Sequence, residues 1–525
     1  MIKPPTLLHA FATVSSITMV SRITGFVRDI IIAATLGAGF ATDAFLVAFQ
    51  FPNLFRRFFA EGAFSAGFVP IFAEVVESNG IKEAQKFANQ VLSLLALILL
   101  VFVILMMILM PFLIYVIAPG FAKFPGQIEK TVELARVTFP YLFFISIVSL
   151  QSGILNALTK FAAAAATPII LNLTLITSVL ISLKFNKDEA LFLAWGVCVS
   201  GALQVVWLMG HLRRNKVSLK FTYPMWNPRV LRLLKLILPV AFGASLYQLN
   251  LLIDKILATL VSSGAVSWLY FADRVNQLPI GVIGVGIGVV LLPVLVKSIH
   301  KGENEQALEA QERAVRISIL LSIPACVGLL LLSNPIISTL FERGEFTVTD
   351  RLAASSALAA FACGLPAYIL IKALVPGFFS RNDTLTPVKI SAFAMALNII
   401  LNLILMSKFG HVGIAMATAI SAWCNAGLLA VFLYKRKHFV INYNLVRCLI
   451  CVLLSSLVMA SAIVWGLQIS TLINGPVFGL EGVPSGNQGA RVLSLTGLIF
   501  FGIIAYSVSL FLSGGIGSNE LKKIF

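Results

Sequence analysis

Residues 91–110 (VLSLLALILLVFVILMMILM) contain one serine and otherwise only apolar side chains. A helix of that length rises about 30 Å, which matches the hydrocarbon core of a bilayer. The run does not alternate polar with apolar, so it does not read as a strand of a membrane barrel. Runs of the same kind recur along the 525 residues. In lipid the backbone must satisfy its own hydrogen bonds, which leaves helices. Composition agrees: 59% of residues are hydrophobic and 12% charged, too few charges to cover a soluble protein of this size. Mean hydropathy is +0.96.

The runs predict an all-α polytopic membrane protein of about 14 transmembrane helices, centred from near Met19 to near Ile503. The first, second, seventh and eighth spans are weakly hydrophobic and carry charges. The N-terminal run lacks a small-residue cleavage site and soon meets Arg22, so it reads as a retained span rather than a signal peptide. The longest connections, near His211–Lys235, Ser298–Arg316 and Gln468–Arg491, are too short for a folded soluble domain.

A net charge of +17 would suggest nucleic acid in a soluble chain. Here it points to no nucleic acid, but to basic cytoplasmic loops and a cationic cavity. With the N-terminus inside, most lysines and arginines fall on that face, including Arg213, Arg214, Lys216, Lys220, Arg229, Arg232, Lys235 and the run Lys435–Lys437. The positive-inside rule then puts both termini in the cytoplasm. The six cysteines mostly lie in apolar stretches without metal-ligand spacing and read as small core hydrophobes.

Two internal similarities suggest duplication: Gly39–Pro70 with Gly264–Pro293, and Gly153–Asn172 with Gly377–Asn398. They predict an N-terminal lobe over 1–220 and a C-terminal lobe over 221–440, pseudo-symmetric and of six helices each. Helices 13 and 14 follow over 441–525. Transporters built this way bind substrate between their repeats.

Charges inside spans carry the functional signal, because each costs about 2.5–3.5 kcal/mol at the membrane centre. The basic ones are Arg22, Arg28, Arg56, Arg57, Lys255, Arg274 and Lys372; Asp29, Asp43, Glu61, Asp254 and Asp273 accompany them. They either face a watery cavity or serve as snorkelling and structural ion pairs. Asn53, Arg57 and Glu61 repeat at i, i+4, i+8, one polar stripe on the second helix, with Arg56 beside it. Pro52 predicts a bend or break there. Asp273-Arg274 precedes Pro279 and the glycines 281, 284, 286 and 288, which permit bending and close helix approach or simply helix packing.

Four segments resemble the MurJ/MviN flippase family: SRITGFVRD (Ser21–Asp29), ATDAFLVAFQFPNLFRRFFAEGAFSAGFVPIFAE (Ala41–Glu74), SGAVSWLYFADR (Ser263–Arg274) and PGFFSRNDTLTPVK (Pro376–Lys389). The family belongs to the multidrug/oligosaccharidyl-lipid/polysaccharide exporter superfamily. The resemblance implies 14 helices in two lobes, alternating access through a cationic central cavity, and a groove beside helices 13 and 14 for a polyprenyl tail. It implies transport, not enzymatic catalysis, of lipid II (an undecaprenyl-pyrophosphate-linked muropeptide) across the bacterial inner membrane for cell wall synthesis. A monomer in membrane lipid, in contact with the synthesis machinery, is the expected assembly.

By motif, the family's essential arginines correspond to Arg22, Arg28, Arg56 and Arg274. Arg57, Asn53 and Ser21 become further substrate-binding candidates. Asp29, Asp43, Glu61, Asp273 and Ser267 become gate or charge partners. Guanidinium groups suit pyrophosphate and carboxylates because they bind bidentately and stay charged when desolvated. No cofactor is required, but Asp254, Asn398, Asn402, Thr418 and the carbonyl of Ile414 offer hard oxygen ligands for a sodium ion. The other readings of these residues are a local Asp254–Lys255 pair and interhelical amide hydrogen bonds. With no nucleotide-binding loop evident, membrane potential or an ion gradient would drive transport. The rivals are another exporter of the superfamily, either an O-antigen-type lipid flippase or an ion-coupled drug antiporter, and a membrane glycosyltransferase. A cationic-drug exporter would want an acidic cavity, and a glycosyltransferase a sizeable outside loop with catalytic acids.

Overall fold

The computed structural model describes residues 7–58, 64–223, 228–474, 477–478 and 486–514, and every element among these described residues is a helix. The side chains of 7–12, 55–58, 65–66, 238–247, 285, 289 and 473–474 lie outside the description. Ten helices among the described residues are long and apolar enough to cross a membrane. Their outward faces carry residues such as Ile108 and Phe112, each 67% exposed, as a chain solvated by lipid requires. The chain divides into two compact units, Met1–Val266 and Ser267–Phe525.

The first unit comprises α1 (Leu7–Leu36), α2 (Phe40–Phe58), α3 (Phe64–Ile117), α4 (Gln127–Thr138), α5 (Tyr141–Ala157), α6 (Phe161–Ala165), α7 (Thr167–Phe185), α8 (Glu189–Arg214) and α9 (Pro228–Val261). α3 folds back at Gly80, whose φ of 79° is open to glycine and strained for other residues. Phe68 then stacks on Phe87 across the two limbs, with ring centroids 5.8 Å apart. α3 packs on α5 and α9, α5 on α8, α7 on α8, and α1 on α7. α2 runs unbroken through Pro52, where the sequence predicts a bend.

The segment after α8 is pinned to α3 by a polar ladder. Gln85 donates to the Ser218 carbonyl at 2.5 Å, Asn89 accepts from the Lys220 amide at 2.9 Å, and Ser93 accepts from the Thr222 amide at 2.8 Å. The three α3 residues repeat at i, i+4, i+8, one stripe facing one extended strand of chain.

The second unit comprises α10 (Ala265–Pro279), a π-helical turn over Ile280–Gly284, α11 (Val285–His300), α12 (Asn304–Leu331), α13 (Ser333–Leu340), α14 (Val348–Phe379), α15 (Leu385–Lys435), α16 (Tyr443–Asn474) and α17 (Gln488–Leu512). α14 packs on α12 and α15, α12 on α16, and α16 on α17. α15 is a helical hairpin: Gly410 (φ 57°, ψ −133°) reverses the chain. The limbs approach so closely that a Cβ on Gly413 would stand 2.3 Å from the Leu405 carbonyl oxygen. The far end of the hairpin is tied by Asp383, which accepts from the Thr386 amide at 3.0 Å and from Arg436. The Thr386 hydroxyl and amide, then Arg436, hold the Asp383 carboxyl down at about 2.

A buried ionic cluster joins α13, α14 and α17. Glu342 lies 3.1 Å from Arg351 and 3.9 Å from Arg491, and all three side chains are at most 9% exposed. Arg351 also donates to the Phe478 carbonyl at 3.0 Å, and Arg491 to the Glu342 carbonyl at 3.1 Å.

Candidate functional site

α1 presents its two arginines differently. Arg22 is exposed, whereas Arg28 and Asp29 are 6% and 1% exposed. Arg28 Nε and Nη2 both donate to Asp29 Oδ1, at 3.0 and 2.6 Å, and Nη1 donates to Asn172 Oδ1 on α7 at 3.0 Å. Adjacent residues on a helix point about 100° apart, so this pair forms only because the long arginine curls back. The Asn172 amide Nδ2 in turn donates to the Ser21 carbonyl at 3.0 Å. The structure therefore joins Ser21, Arg28 and Asp29 in one network, while Arg22, between them in sequence, is exposed.

α2 starts with a buried carboxylate. Asp43 is fully buried, and its Oδ2 accepts from the Gly264 amide at 2.6 Å, in the turn after α9. Lys255 of α9 donates to Gln50 of α2. Asn53 is half-buried one turn before Arg57. Arg56 and Arg57 lie in the last turn of α2, with their side chains outside the described residues, and Glu61 is wholly outside them.

In the second unit Arg274 lies over the Tyr270 ring, 5.1 Å from its centroid, and Nε and Nη2 donate to the Tyr270 hydroxyl at 3.1 and 3.0 Å. Tyrosine four residues before the arginine shares its helix face, and the ring quadrupole attracts the cation. Asp273 accepts from Gln277, and Ser267 is fully buried. Just beyond, Pro279 removes a backbone donor and the π-helical turn takes up the mismatch. A Cβ on Gly284 would stand 3.4 Å from the Lys372 side chain and one on Gly288 3.5 Å from the Lys372 carbonyl oxygen, so these two glycines face α14 at its lysine, whereas Gly286 has nothing within 4 Å.

Four of the five cation-ligand candidates cluster on the α15 hairpin. Asn402 donates to Asn398 Oδ1 at 2.9 Å, Asn398 donates to the Thr418 hydroxyl at 3.4 Å, and Thr418 donates to the Ile414 carbonyl at 2.9 Å. Two amide oxygens, a hydroxyl and a carbonyl are thus already gathered, the donor chemistry of a hard cation. Asp254 belongs to the first unit, on α9, where Asn250 donates to it at 3.5 Å and the buried Asn250 Oδ1 has no hydrogen-bond partner among the described residues. An orphaned buried oxygen beside a carboxylate fits the same chemistry.

The sequence did not single out Asn172 or Tyr270 as site residues. Tyr270 was signalled by its i, i+4 spacing from Arg274. The signal for Asn172 was weaker: one amide in the apolar run TPIILNLTLI. Between α16 and α17 lies a mostly apolar cavity of about 400 Å³, lined by Trp465, Gly466, Ile469, Gly497, Leu498 and Phe501 among others.

Comparison with known proteins places this geometry. Residues 32–480 match the family model described as lipid II flippase MurJ. A probable lipid II flippase MurJ of Rhizobium tropici is 40% identical over 525 residues, covering 98% of this chain and 96% of that protein. Its counterpart in Vibrio cholerae is 34% identical, covering 98% of each. A solved lipid II flippase MurJ in an inward closed conformation superposes with a TM-score of 0.77 at 27% identity, covering 94% of this chain and 97% of that one. An inward-facing multidrug resistance MATE family transporter of the MOP superfamily shares the fold, with a TM-score of 0.67 at 17% identity over 81% of this chain and 97% of that one.

Proposed function

The chain belongs to the MurJ family of lipid II flippases, and from that membership we infer that its intramembrane arginines are the surface that receives the lipid headgroup. It is a multi-span membrane transporter, not an enzyme, and it moves lipid II across the cytoplasmic membrane for peptidoglycan synthesis. A drug antiporter, an O-antigen-type flippase and a glycosyltransferase are not favoured by these relatives.

Arg22, Arg28, Arg56 and Arg274 bind the pyrophosphate and the peptide carboxylates, with Arg57, Asn53 and Ser21 beside them. The supporting observation is the state of α1: an exposed Arg22 one turn and a half from an Arg28 already clamped by Asp29 and Asn172. Uncompensated cations are costly in a dry cavity, so carboxylates such as Asp29, Asp43, Asp273 and Glu61 balance them until substrate arrives. The headgroup enters from the cytoplasm and leaves outside, while the polyprenyl tail stays in lipid or in the apolar cavity between α16 and α17. Pro279 and the π-helical turn supply a hinge. The chain crosses the membrane 14 times in two pseudo-symmetric lobes, has both termini in the cytoplasm, and works as a monomer beside the synthesis machinery.

Sodium bound by Asp254, Asn398, Asn402, Thr418 and the Ile414 carbonyl would supply the coupling gradient. Sodium should then raise the melting temperature of the parent protein, because a ligand that binds only the folded state stabilises it. Asp254→Ala should abolish that rise, and an equal sodium response in the two would remove the cation site.

The headgroup reading is tested by complementation of a depletion strain, with membrane abundance followed by immunoblot. Alanine at Arg22, Arg28, Arg56 or Arg274 should fail to support growth at parental abundance. Normal growth of all four single variants would overturn it.

A further inference from the structure

Asn172 is 6% exposed in the second turn of α7, and its side-chain hydrogen bonds among the described residues all go to one stretch of α1. Its Oδ1 accepts from Arg28 at 3.0 Å. Its Nδ2 donates to the Ser21 carbonyl at 3.0 Å and lies 3.3 Å from the Thr24 hydroxyl. That pattern fixes the orientation of the amide, because the flipped form would set an NH2 against the guanidinium and an oxygen against a carbonyl. Close approach is secured by Gly25, where an added Cβ would stand 3.2 Å from Nδ2. The guanidinium is thus held from two directions, by Asp29 Oδ1 through Nε and Nη2 and by Asn172 through Nη1.

We propose that Asn172 is a positioning residue for transport: its amide, oriented by Ser21 and Thr24, sets the plane of the Arg28 guanidinium in which a bidentate oxyanion must be met. A guanidinium is a planar fork, and its advantage for a pyrophosphate oxygen depends on that plane being set before substrate arrives. Asp29 fixes one edge, since the two bonds it accepts from Arg28 use the same oxygen. Asn172 supplies a second point from another helix. A change in the α1–α7 packing would therefore be felt at the headgroup through Arg28.

The inference rests on the reading of Arg28 as a headgroup ligand, and the test separates the two. Full-length protein in nanodiscs is titrated with lipid II, and melting is followed on the same samples. The variants are Arg28→Ala, Asn172→Leu, which keeps the bulk and loses both polar ends, Asn172→Asp, which keeps only the acceptor, and the double variant Arg28→Ala/Asn172→Leu. Asn172→Leu should weaken lipid II about tenfold, the scale of one lost hydrogen bond to a charged group. In the Arg28→Ala background the same change should add less than about twofold, because residues acting through one another are not additive. Asn172→Asp should retain affinity better than Asn172→Leu and covers the case in which the leucine variant does not accumulate. Unchanged affinity in Asn172→Leu, or its full effect persisting without Arg28, overturns the proposal while leaving Arg28 as a ligand. Unchanged affinity in Arg28→Ala instead removes the headgroup reading, and the proposal with it.

Discussion

Asp29 should be needed for stability, and Arg28 for both stability and transport. Arg28 Nη2 and Nε lie 2.6 and 3.0 Å from Asp29 Oδ1, with Arg28 6% and Asp29 1% exposed. Asp29→Ala takes the carboxylate away from a buried guanidinium and leaves its neutral contact with Asn172 in place. Removing one member of a buried pair costs about 3–5 kcal/mol, although a membrane protein's unfolded state finds partners of its own and pulls the figure toward the low end. For a unit of this size that is a fall in melting temperature on the order of 10 °C. Arg28→Met/Asp29→Leu removes both charges and keeps the volume, an exchange often close to neutral, so most of the lost stability should return. Transport should not return, because no guanidinium remains. Melting of the purified protein and complementation, run on the same variants, separate the two. A double variant no more stable than Asp29→Ala would refute the ion-pair reasoning, and a double variant that supports growth would refute the role of Arg28.

Gly413→Ala should lower membrane abundance sharply, since the added Cβ would stand 2.3 Å from the Leu405 carbonyl oxygen and the α15 hairpin must open to admit it; immunoblotting against Gly427→Ala, where nothing lies within 4 Å, gives the comparison. Glu342→Gln should destabilise the protein by about 3 kcal/mol, because Arg351 and Arg491 keep their charges in the buried cluster and lose the anion between them; an unchanged melting temperature would contradict this. Asp383→Asn should cost stability at neutral pH. The Asp383 carboxyl lies at about 2, below its ordinary 3.8, so its contribution is complete above about pH 4 and is lost as pH falls toward 2. The melting difference between parent and variant should shrink over that interval, and a difference that grows on acidification would reverse the sign of the argument.

The helical membrane architecture was legible because lipid leaves so few options: a run such as Val91–Met110 has one reading. α2 was harder, because Asp43, Arg56 and Arg57 spend its hydrophobicity on charge. Fold-backs were not legible. Gly80 and Gly410 look like any other of the 37 glycines, and what sets them apart is a positive φ inside a run of helix. Pro52 promised a bend or a break, and α2 is not broken there, whereas Pro279 is followed by a π-helical turn. The charges of the site could be read from their cost in lipid, but their state could not. Neighbours in sequence, Arg28 and Asp29, became a buried pair, whereas Asn172, which completes the clamp, lies 144 residues away and belongs to no pattern on its own helix.

The central claim is that this chain carries lipid II outward on intramembrane arginines. Its most direct test is a leaflet-resolved measurement of lipid II in cells depleted of the protein, with either the parent or Arg22→Ala supplied at equal abundance. Arg22 is the exposed arginine of α1 and can be replaced without breaking the Arg28–Asp29 pair. The account predicts lipid II confined to the inner leaflet on depletion, restored to the outer leaflet by the parent, and still confined with Arg22→Ala. Outer-leaflet lipid II at parental levels in the depleted cells, or with Arg22→Ala, would contradict it.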